Sequence, residues 1–171
     1  MRGYVQVYTG DGKGKTTAAL GLAIRAAGAG MQVFFAQFVK GQDYSEIRLL
    51  RNKIPEIEFQ QYGRECFIKK EPEKEDIQIA RKGLNAVKNK IISNQYDLIV
   101  LDELNIAFYY DLISIEEGLE LVKQKPNKLE LVITGRKAPN KIIEAADLVT
   151  EMKEIKHYFR KNVKARKGIE Y

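Results

Sequence analysis

The chain has 171 residues, 44% hydrophobic and 30% charged, with a formal net charge of +6. This length favours one substantial domain, and the composition excludes a disordered chain. The longest apolar runs are too short to cross a bilayer, no signal peptide precedes the first predicted strand, and a single cysteine, Cys66, excludes an internal disulfide. We therefore expect a cytoplasmic protein without a membrane partner.

The first predicted elements are a strand, a glycine-rich loop and a helix. Tyr4–Thr9 is apolar-rich with β-branched and aromatic residues, as in a buried strand. Three glycines interrupt it between positions 10 and 14, and Lys15-Thr16-Thr17 then opens an alanine-rich helix that extends to about Ala27. A glycine loop with Lys-Thr between a strand and a helix predicts a phosphate-binding loop.

The chemistry of such a loop follows from its backbone. Glycines permit dihedrals that aim successive N–H groups into one concavity, and the helix start adds free donors. Lys15 would carry the charge for the outer phosphates, and the Thr16 hydroxyl would bind Mg²⁺. The usual pattern requires glycine at position 9, where this chain has Thr9, but an accidental glycine turn explains the flanking strand and helix less well. We predict that a nucleoside triphosphate binds at Gly10, Asp11, Gly12, Lys13, Gly14, Lys15, Thr16 and Thr17.

Strands and helices alternate along the rest of the chain. Further strands are predicted at 32–39, 56–61, 96–101, 129–134 and 148–150, and helices at 44–51, from Pro72 onward, at 114–123 and at 140–146. About six strands separated by helices imply a single doubly wound, mostly parallel α/β sheet with a RecA-like P-loop NTPase core. We expect one domain over residues 1–171, with a basic tail from about residue 153. Functional residues should gather beyond the carboxyl ends of the strands.

Two further stretches lie at those predicted strand ends. LIVLDE, Leu98–Glu103, has the form of a Walker-B strand, whose terminal acids would hold Mg²⁺ directly or through water. The alternative is a buried strand followed by acidic turn residues. Arg136 follows the next strand and would place a guanidinium near phosphate or base, although a solvated arginine explains it equally well.

The basic tail from Lys153 mixes Lys and Arg with aromatic residues. A flexible, solvated tail is the simplest interpretation. The functional alternative is a segment that folds back over the site or onto a partner subunit. We expect His157, the single histidine, to face solvent and Cys66 to pack rather than react.

Six segments distributed along the chain form a more specific pattern: TGDGKGKTTAALGLA, QFVKG, VLDELN, VITGR, ADLVTEM and the ending KH-Y-F…VKA…GIEY. In their spacing they resemble the P-loop corrinoid adenosyltransferases of the bacterial cobalamin pathway, from the first strand to the last residue. The phosphate loop and VLDEL are shared with many nucleotide enzymes, whereas the spacing and the GIEY ending are more specific. Thr9 in place of the first glycine also fits that family.

The resemblance implies transfer of the 5′-deoxyadenosyl group of ATP to the cobalt of a reduced corrinoid, with release of triphosphate. It also implies Mg²⁺ or Mn²⁺ near Thr16 and Glu103, with Asp102 as the second choice, and Lys15 at the leaving group. Because reduced cobalt is a powerful nucleophile, no catalytic serine, cysteine or base is needed. The triphosphate would lie reversed relative to ordinary P-loop hydrolases. The implied partners are an electron donor such as a flavoprotein and a second subunit in a homodimer.

Two departures from the family pattern accompany the resemblance. Members often begin with a helical extension that covers the site, whereas this sequence starts at the strand, so we expect other or looser cover. The family also uses bulky aromatics after the third strand to displace the lower ligand of cob(II)alamin. Here that loop is Gly63–Lys69 and the chain lacks tryptophan, so Phe67 is the candidate, with an ordinary core phenylalanine as the alternative.

The residues alone are compatible with three other functions. A P-loop kinase would release ADP, and thymidine kinases, which have a related core, generally need a multi-cysteine zinc site that one cysteine cannot form. A RecA-like ATPase that binds nucleic acid would use the positive charge, yet no nucleic-acid module is visible. A nucleotide-binding regulator would bind ATP without catalysing a reaction. We favour adenosyl transfer and no nucleic-acid partner.

Overall fold

The computed structural model describes residues 2–65, 68 and 71–171. Within these residues it contains one parallel sheet with the strand order β3-β2-β4-β5-β1-β6. Its strands are β1 (Val5–Thr9), β2 (Val33–Phe38), β3 (Ile57–Tyr62), β4 (Leu98–Asp102), β5 (Glu130–Thr134) and β6 (Leu148–Glu151). The predicted α/β class is confirmed, and every strand pair of the sheet is parallel.

Helices cover both faces of this sheet. They are α1 (Lys15–Gly28), α2 (Ser45–Lys53), α3 (Lys74–Ile92), α4 (Leu104–Tyr109), α5 (Ile115–Gln124) and α6 (Asn140–Ala145), followed by a 3₁₀-helix at Tyr158–Lys161. The sequence reading did not predict α4. Its six residues, LNIAFY, are mostly apolar and too few to show one-sided periodicity.

The core forms two clusters, one on each face of the sheet. One packs apolar residues of α3, α4, α5 and α6 against the sheet, and the other packs α1 and α2 against its opposite face. Strands β2 and β4 are buried at every position, which explains their nearly continuous apolar sequences. Strand β6 is exposed throughout at the sheet edge. No helix in the described ranges is long and apolar enough to span a membrane.

Helix starts differ in a way that bears on the site. The N-termini of α3 and α5 are closed by capping boxes, Glu73 with Asp76 and Ser114 with Glu117. The start of α1 follows Gly14, which has φ +118° and provides no side-chain cap. The first amides of α1 therefore depend on a ligand or solvent for their hydrogen bonds.

Candidate functional site

A cavity of about 500 Å³ lies beyond the carboxyl ends of the strands. Its walls are the loop and helix start at 12–17, Lys40, Glu103, Arg136 and residues 168–171. A second cavity, about 370 Å³, lies at the opposite edge of the sheet beside Gly3 and Leu98. Since the predicted site residues gather at the first cavity, we treat it as the candidate site.

The glycine loop is shaped by left-handed backbone and by close packing. Gly10 has φ +93°, and a Cβ there would lie 2.4 Å from the carbonyl oxygen of Met152. A Cβ on Gly12 would lie 2.7 Å from the same oxygen, to which the Gly12 amide donates a hydrogen bond of 2.7 Å. These two glycines are therefore required because the loop packs directly on the chain that follows β6.

Lys15 lies inside the loop, with a relative exposure of 8%. Its Nζ donates hydrogen bonds of 2.7 Å to the carbonyl oxygens of Gly10 and Gly12. Burial lowers the pKa of Lys15, and the charge of Arg136 lowers it further, against the opposing charge of Glu103. Since the charged form is disfavoured here, an anion bound in the cavity would stabilise it.

Asp102 is buried under the cavity and organises the strand ends. Its Oδ1 accepts hydrogen bonds from Thr16 Oγ1 at 2.9 Å and from Thr134 Oγ1 at 2.6 Å. Its Oδ2 accepts a bond of 2.9 Å from Gln37 Nε2. Gln37 was missed by the sequence reading, although a glutamine within the apolar run of β2 was a signal for a buried polar contact.

Glu103 faces the cavity instead. Its φ of +59° turns the chain at the end of β4, and its amide donates to Thr134 Oγ1 at 3.1 Å. Its Oε1 lies 2.7 Å from Nζ of Lys40. Burial would lower the pKa of Lys40, but the charges of Glu103 and Asp102 outweigh it, and the pKa is raised overall. Sequence reasoning did not identify Lys40 as a site residue.

These side chains present oxygen ligands of the kind that Mg²⁺ prefers. Thr16 contributes a hydroxyl and Glu103 a carboxylate at the cavity, whereas the Asp102 carboxylate, the second choice from the sequence, is fully buried behind Thr16 and hydrogen-bonded at both oxygens. In the described part of the chain no group of three or more His, Cys, Asp or Glu could enclose a metal. Mg²⁺ is commonly bound by one or two carboxylates together with water and substrate phosphates, so this donor set fits it.

The basic tail lies against the glycine loop rather than extending into solvent. Lys13 Nζ donates to Glu170 Oε1 at 3.0 Å, to the carbonyl oxygen of Ile169 at 3.0 Å and to Tyr158 Oη at 3.4 Å. This geometry matches the functional alternative, a segment folded back over the site. His157 lines the rim of the cavity, half-buried, and accepts a hydrogen bond from the amide of Phe159.

The remaining predicted residues divide into three groups. Thr17 and Arg136 line the cavity, although the Arg136 residue as a whole is exposed. Asp11 is exposed and acts on the site through its charge, which raises the pKa of Lys15 against the net lowering. Phe67, like Cys66, lies outside the described residues.

Comparison with known proteins gives one consistent result. The family model described as ATP:corrinoid adenosyltransferase BtuR/CobO/CobP matches residues 1–171. A corrinoid adenosyltransferase of Sinorhizobium sp is 36% identical over 173 residues, which cover 99% of this chain and 81% of that protein. Those of Escherichia coli (strain K12) and Salmonella typhimurium (strain LT2) are each 36% identical over 170 residues, covering 99% of this chain and 86% of each relative.

Proposed function

The chain belongs to the ATP:corrinoid adenosyltransferase family, and we propose that it transfers the 5′-deoxyadenosyl group of ATP to the cobalt of a reduced corrinoid and releases triphosphate. Adenosyl transfer to a corrinoid is the activity of the family. The observation that supports the finer statement is the position of Lys15, a buried cation bonded to the carbonyl oxygens of Gly10 and Gly12 at an uncapped helix start.

The reaction forms a cobalt–carbon bond and breaks the bond from the ribose 5′ carbon to the triphosphate oxygen. The electron pair of the broken bond stays on the departing triphosphate. Its negative charge is met by Lys15 and by the amides of the loop and of the start of α1. Cobalt supplies the nucleophile, so no side chain needs to take or give a proton.

Thr16 and Glu103 would hold Mg²⁺ or Mn²⁺, and Asp102 would orient the Thr16 hydroxyl through their hydrogen bond. When bound, the metal neutralises part of the polyphosphate charge. Arg136, at the cavity wall, adds a second fixed positive charge beside Lys15. For the 5′ carbon to be exposed, the triphosphate must lie in the reversed orientation that the family resemblance implies.

The remaining parts of the proposal rest on the family, the sequence and the contacts of the tail. Phe67 would displace the lower ligand of cob(II)alamin so that reduction becomes feasible. A flavoprotein or similar donor would supply the electron, and the enzyme would work as a homodimer in the cytoplasm. Residues 1–171 would form one domain. The tail from about 153 would supply cover for the site, as its contacts with Lys13 suggest.

Product analysis tests the proposal directly. The protein is mixed with Mg·ATP and chemically reduced cob(I)alamin, and the adenosylated absorption spectrum is followed while the phosphate products are separated. Adenosylcobalamin and intact triphosphate in equal amounts are expected. ADP would indicate a kinase or an ATPase, and absence of turnover with ATP bound would indicate a regulator.

A further inference from the structure

The segment after β2 contains a strained turn at the edge of the candidate site. Val39 has φ +65°, a conformation that a β-branched residue rarely adopts. The amide of Lys40 donates a hydrogen bond of 2.7 Å to the carbonyl oxygen of Phe38. A bond that spans one residue with positive φ defines the rare, strained form of γ-turn, and such strain often accompanies function.

Two glycines hold this turn by backbone contact. A Cβ on Gly63 would lie 2.4 Å from the amide nitrogen of Lys40 and from the carbonyl carbon of Val39. A Cβ on Gly41 would lie 2.3 Å from the carbonyl oxygen of Gly63. The loop after β3 therefore presses on the turn that carries Lys40, and neither glycine accepts a side chain without movement.

The turn directs the Lys40 side chain into the cavity that also contains Lys15. Its Nζ lies 2.7 Å from Glu103 Oε1, and the two side chains have relative exposures of 22% and 16%. Glu103 itself is held by a left-handed backbone. Glu103 thus has an unfavourable backbone conformation, and Lys40 directly follows the unfavourable one at Val39, at the ends of the neighbouring strands β4 and β2. A surface ion pair needs no such arrangement.

We propose that Lys40 is a second polyphosphate-binding lysine, held beside the phosphate site by the strained turn at Val39. Glu103 partners the Lys40 ammonium in the structure described here. A bound polyphosphate supplies further oxygen acceptors, so the ammonium donates to it in addition to or in place of Glu103. This inference rests on the proposed function of the cavity, because it assigns another residue to the same anion.

Inorganic tripolyphosphate, titrated calorimetrically without a metal, is the probe. Lys40→Met is expected to weaken its binding about tenfold to a hundredfold, the loss of one charge-assisted hydrogen bond. Lys40→Arg keeps the charge and should retain most of the affinity. Lys123→Met, an equal loss of charge at an exposed position on α5, should leave binding unchanged.

The rival interpretation is that Lys40 only neutralises Glu103. Repeating Lys40→Met in a Glu103→Gln background separates the two interpretations, because no carboxylate charge is then left at position 103 for Lys40 to neutralise. A loss of similar size in both backgrounds supports direct binding, whereas no loss in the Glu103→Gln background overturns it. If Lys40→Met fails to fold by circular dichroism, Lys40→Gln and Lys40→Arg are compared in the same two backgrounds.

The turn is tested by Gly63→Ala, which displaces Lys40 without removing its charge. We expect Gly63→Ala to weaken tripolyphosphate binding in the wild-type background and to change it little in the Lys40→Met background. An unchanged affinity, or an equal loss in both backgrounds, contradicts the role of the turn. A wild-type protein that does not bind tripolyphosphate would refute the phosphate site itself, whereas normal wild-type binding with no effect at Lys40 refutes only this inference.

Discussion

Thr16 donates a hydrogen bond of 2.9 Å to Asp102, which ties the first turn of α1 to the end of β4. Thr134 and Gln37 bind the same carboxylate, which is fully buried. The adjacent Glu103 instead reaches the cavity and Lys40. The two consecutive acids therefore occupy different environments, one inside the scaffold and one at the surface of the site.

Asp102→Asn and Glu103→Gln should separate these roles. An amide nitrogen at position 102 cannot accept a hydrogen bond, so one buried donor loses its partner and unfolding should become easier by about 1–3 kcal/mol. Glu103→Gln retains an oxygen toward Lys40, and its cost in unfolding free energy should be about 1 kcal/mol or less. Urea denaturation measures both, and turnover should fall in both. A larger loss of unfolding free energy in Glu103→Gln than in Asp102→Asn would contradict the assignment of Asp102 to the scaffold and of Glu103 to the site.

Lys15→Ala should reduce adenosyl transfer by about a hundredfold or more, the effect of removing one donor from a site of developing negative charge. The fold should persist, since the ammonium contacts loop carbonyls rather than the apolar clusters. Turnover and circular dichroism check the two parts of the prediction, with Lys123→Ala as a control on α5. Rates close to wild type in Lys15→Ala would remove the proposed phosphate site.

Patterns in the sequence were sufficient for the fold class because each strand carries its own signal. Strands β2 and β4 are buried on both sides, and their apolar runs show it directly. Strand order is different: β5 lies between β1 and β4 because of packing among distant segments, which no local pattern encodes. Helix α4 was missed because six residues give too little periodicity.

Residues of the candidate site could be predicted from the sequence where a motif specifies them. They could not be predicted where only a tertiary contact places them there. Lys15 and Thr16 follow from the spacing of the loop. Lys40 lies in the QFVKG segment of the family pattern, but that segment assigns it no role, and its position depends on a γ-turn and on contact with Gly63. The docking of the tail likewise depends on Lys13 meeting Glu170 across 157 positions of sequence.

An ion pair away from the site predicts a pH effect on stability. Glu58 accepts hydrogen bonds of 2.8 and 2.9 Å from Lys90 Nζ and one from Tyr96 Oη, joining β3 to α3 and to the segment that leads into β4. Burial alone would raise the pKa of Glu58, but these hydrogen bonds and the charge of Lys90 lower it overall. The folded pKa is thus below the unfolded one. The stabilisation is complete above the ordinary carboxylate pKa and is lost as pH falls through the folded pKa.

Glu58→Gln should therefore lower the free energy of unfolding at pH 7 by less than about 1 kcal/mol, since the pair is partly exposed. The difference from wild type should shrink as the pH falls below the ordinary pKa of 4.5. Urea denaturation across this range measures it, with Glu144→Gln, at an exposed position of α6, as the control. If the difference in unfolding free energy between Glu58→Gln and wild type grew as the pH fell, the pKa of Glu58 would be raised rather than lowered by folding.

Phe67→Ala tests the proposed displacement of the lower ligand. The variant should lose more activity with cob(II)alamin and a reductant than with chemically reduced cob(I)alamin, because only the first substrate must lose its lower ligand before reduction. Phe159→Ala, at a phenylalanine with 72% relative exposure, controls for removal of an aromatic ring. Equal losses on both substrates would remove Phe67 from this role.

The contacts between the tail and the glycine loop should protect the tail from proteolysis, so substitutions on either side of the contact should expose it. Lys13→Met and Glu170→Gln each remove one side of the pair that joins loop and tail, so both should increase the rate at which trypsin cleaves near Arg166 and Lys167. Glu170 also binds Tyr158 and Arg166, so its substitution should have the larger effect. Glu154→Gln breaks a pair within the tail, with Arg160, and should change this cleavage less. Because both substitutions remove the same ion pair, the increase in the double variant should be smaller than the sum of the two single increases. Additive effects in the double variant, or wild-type cleavage in Lys13→Met, would show that the tail is held by contacts other than this pair.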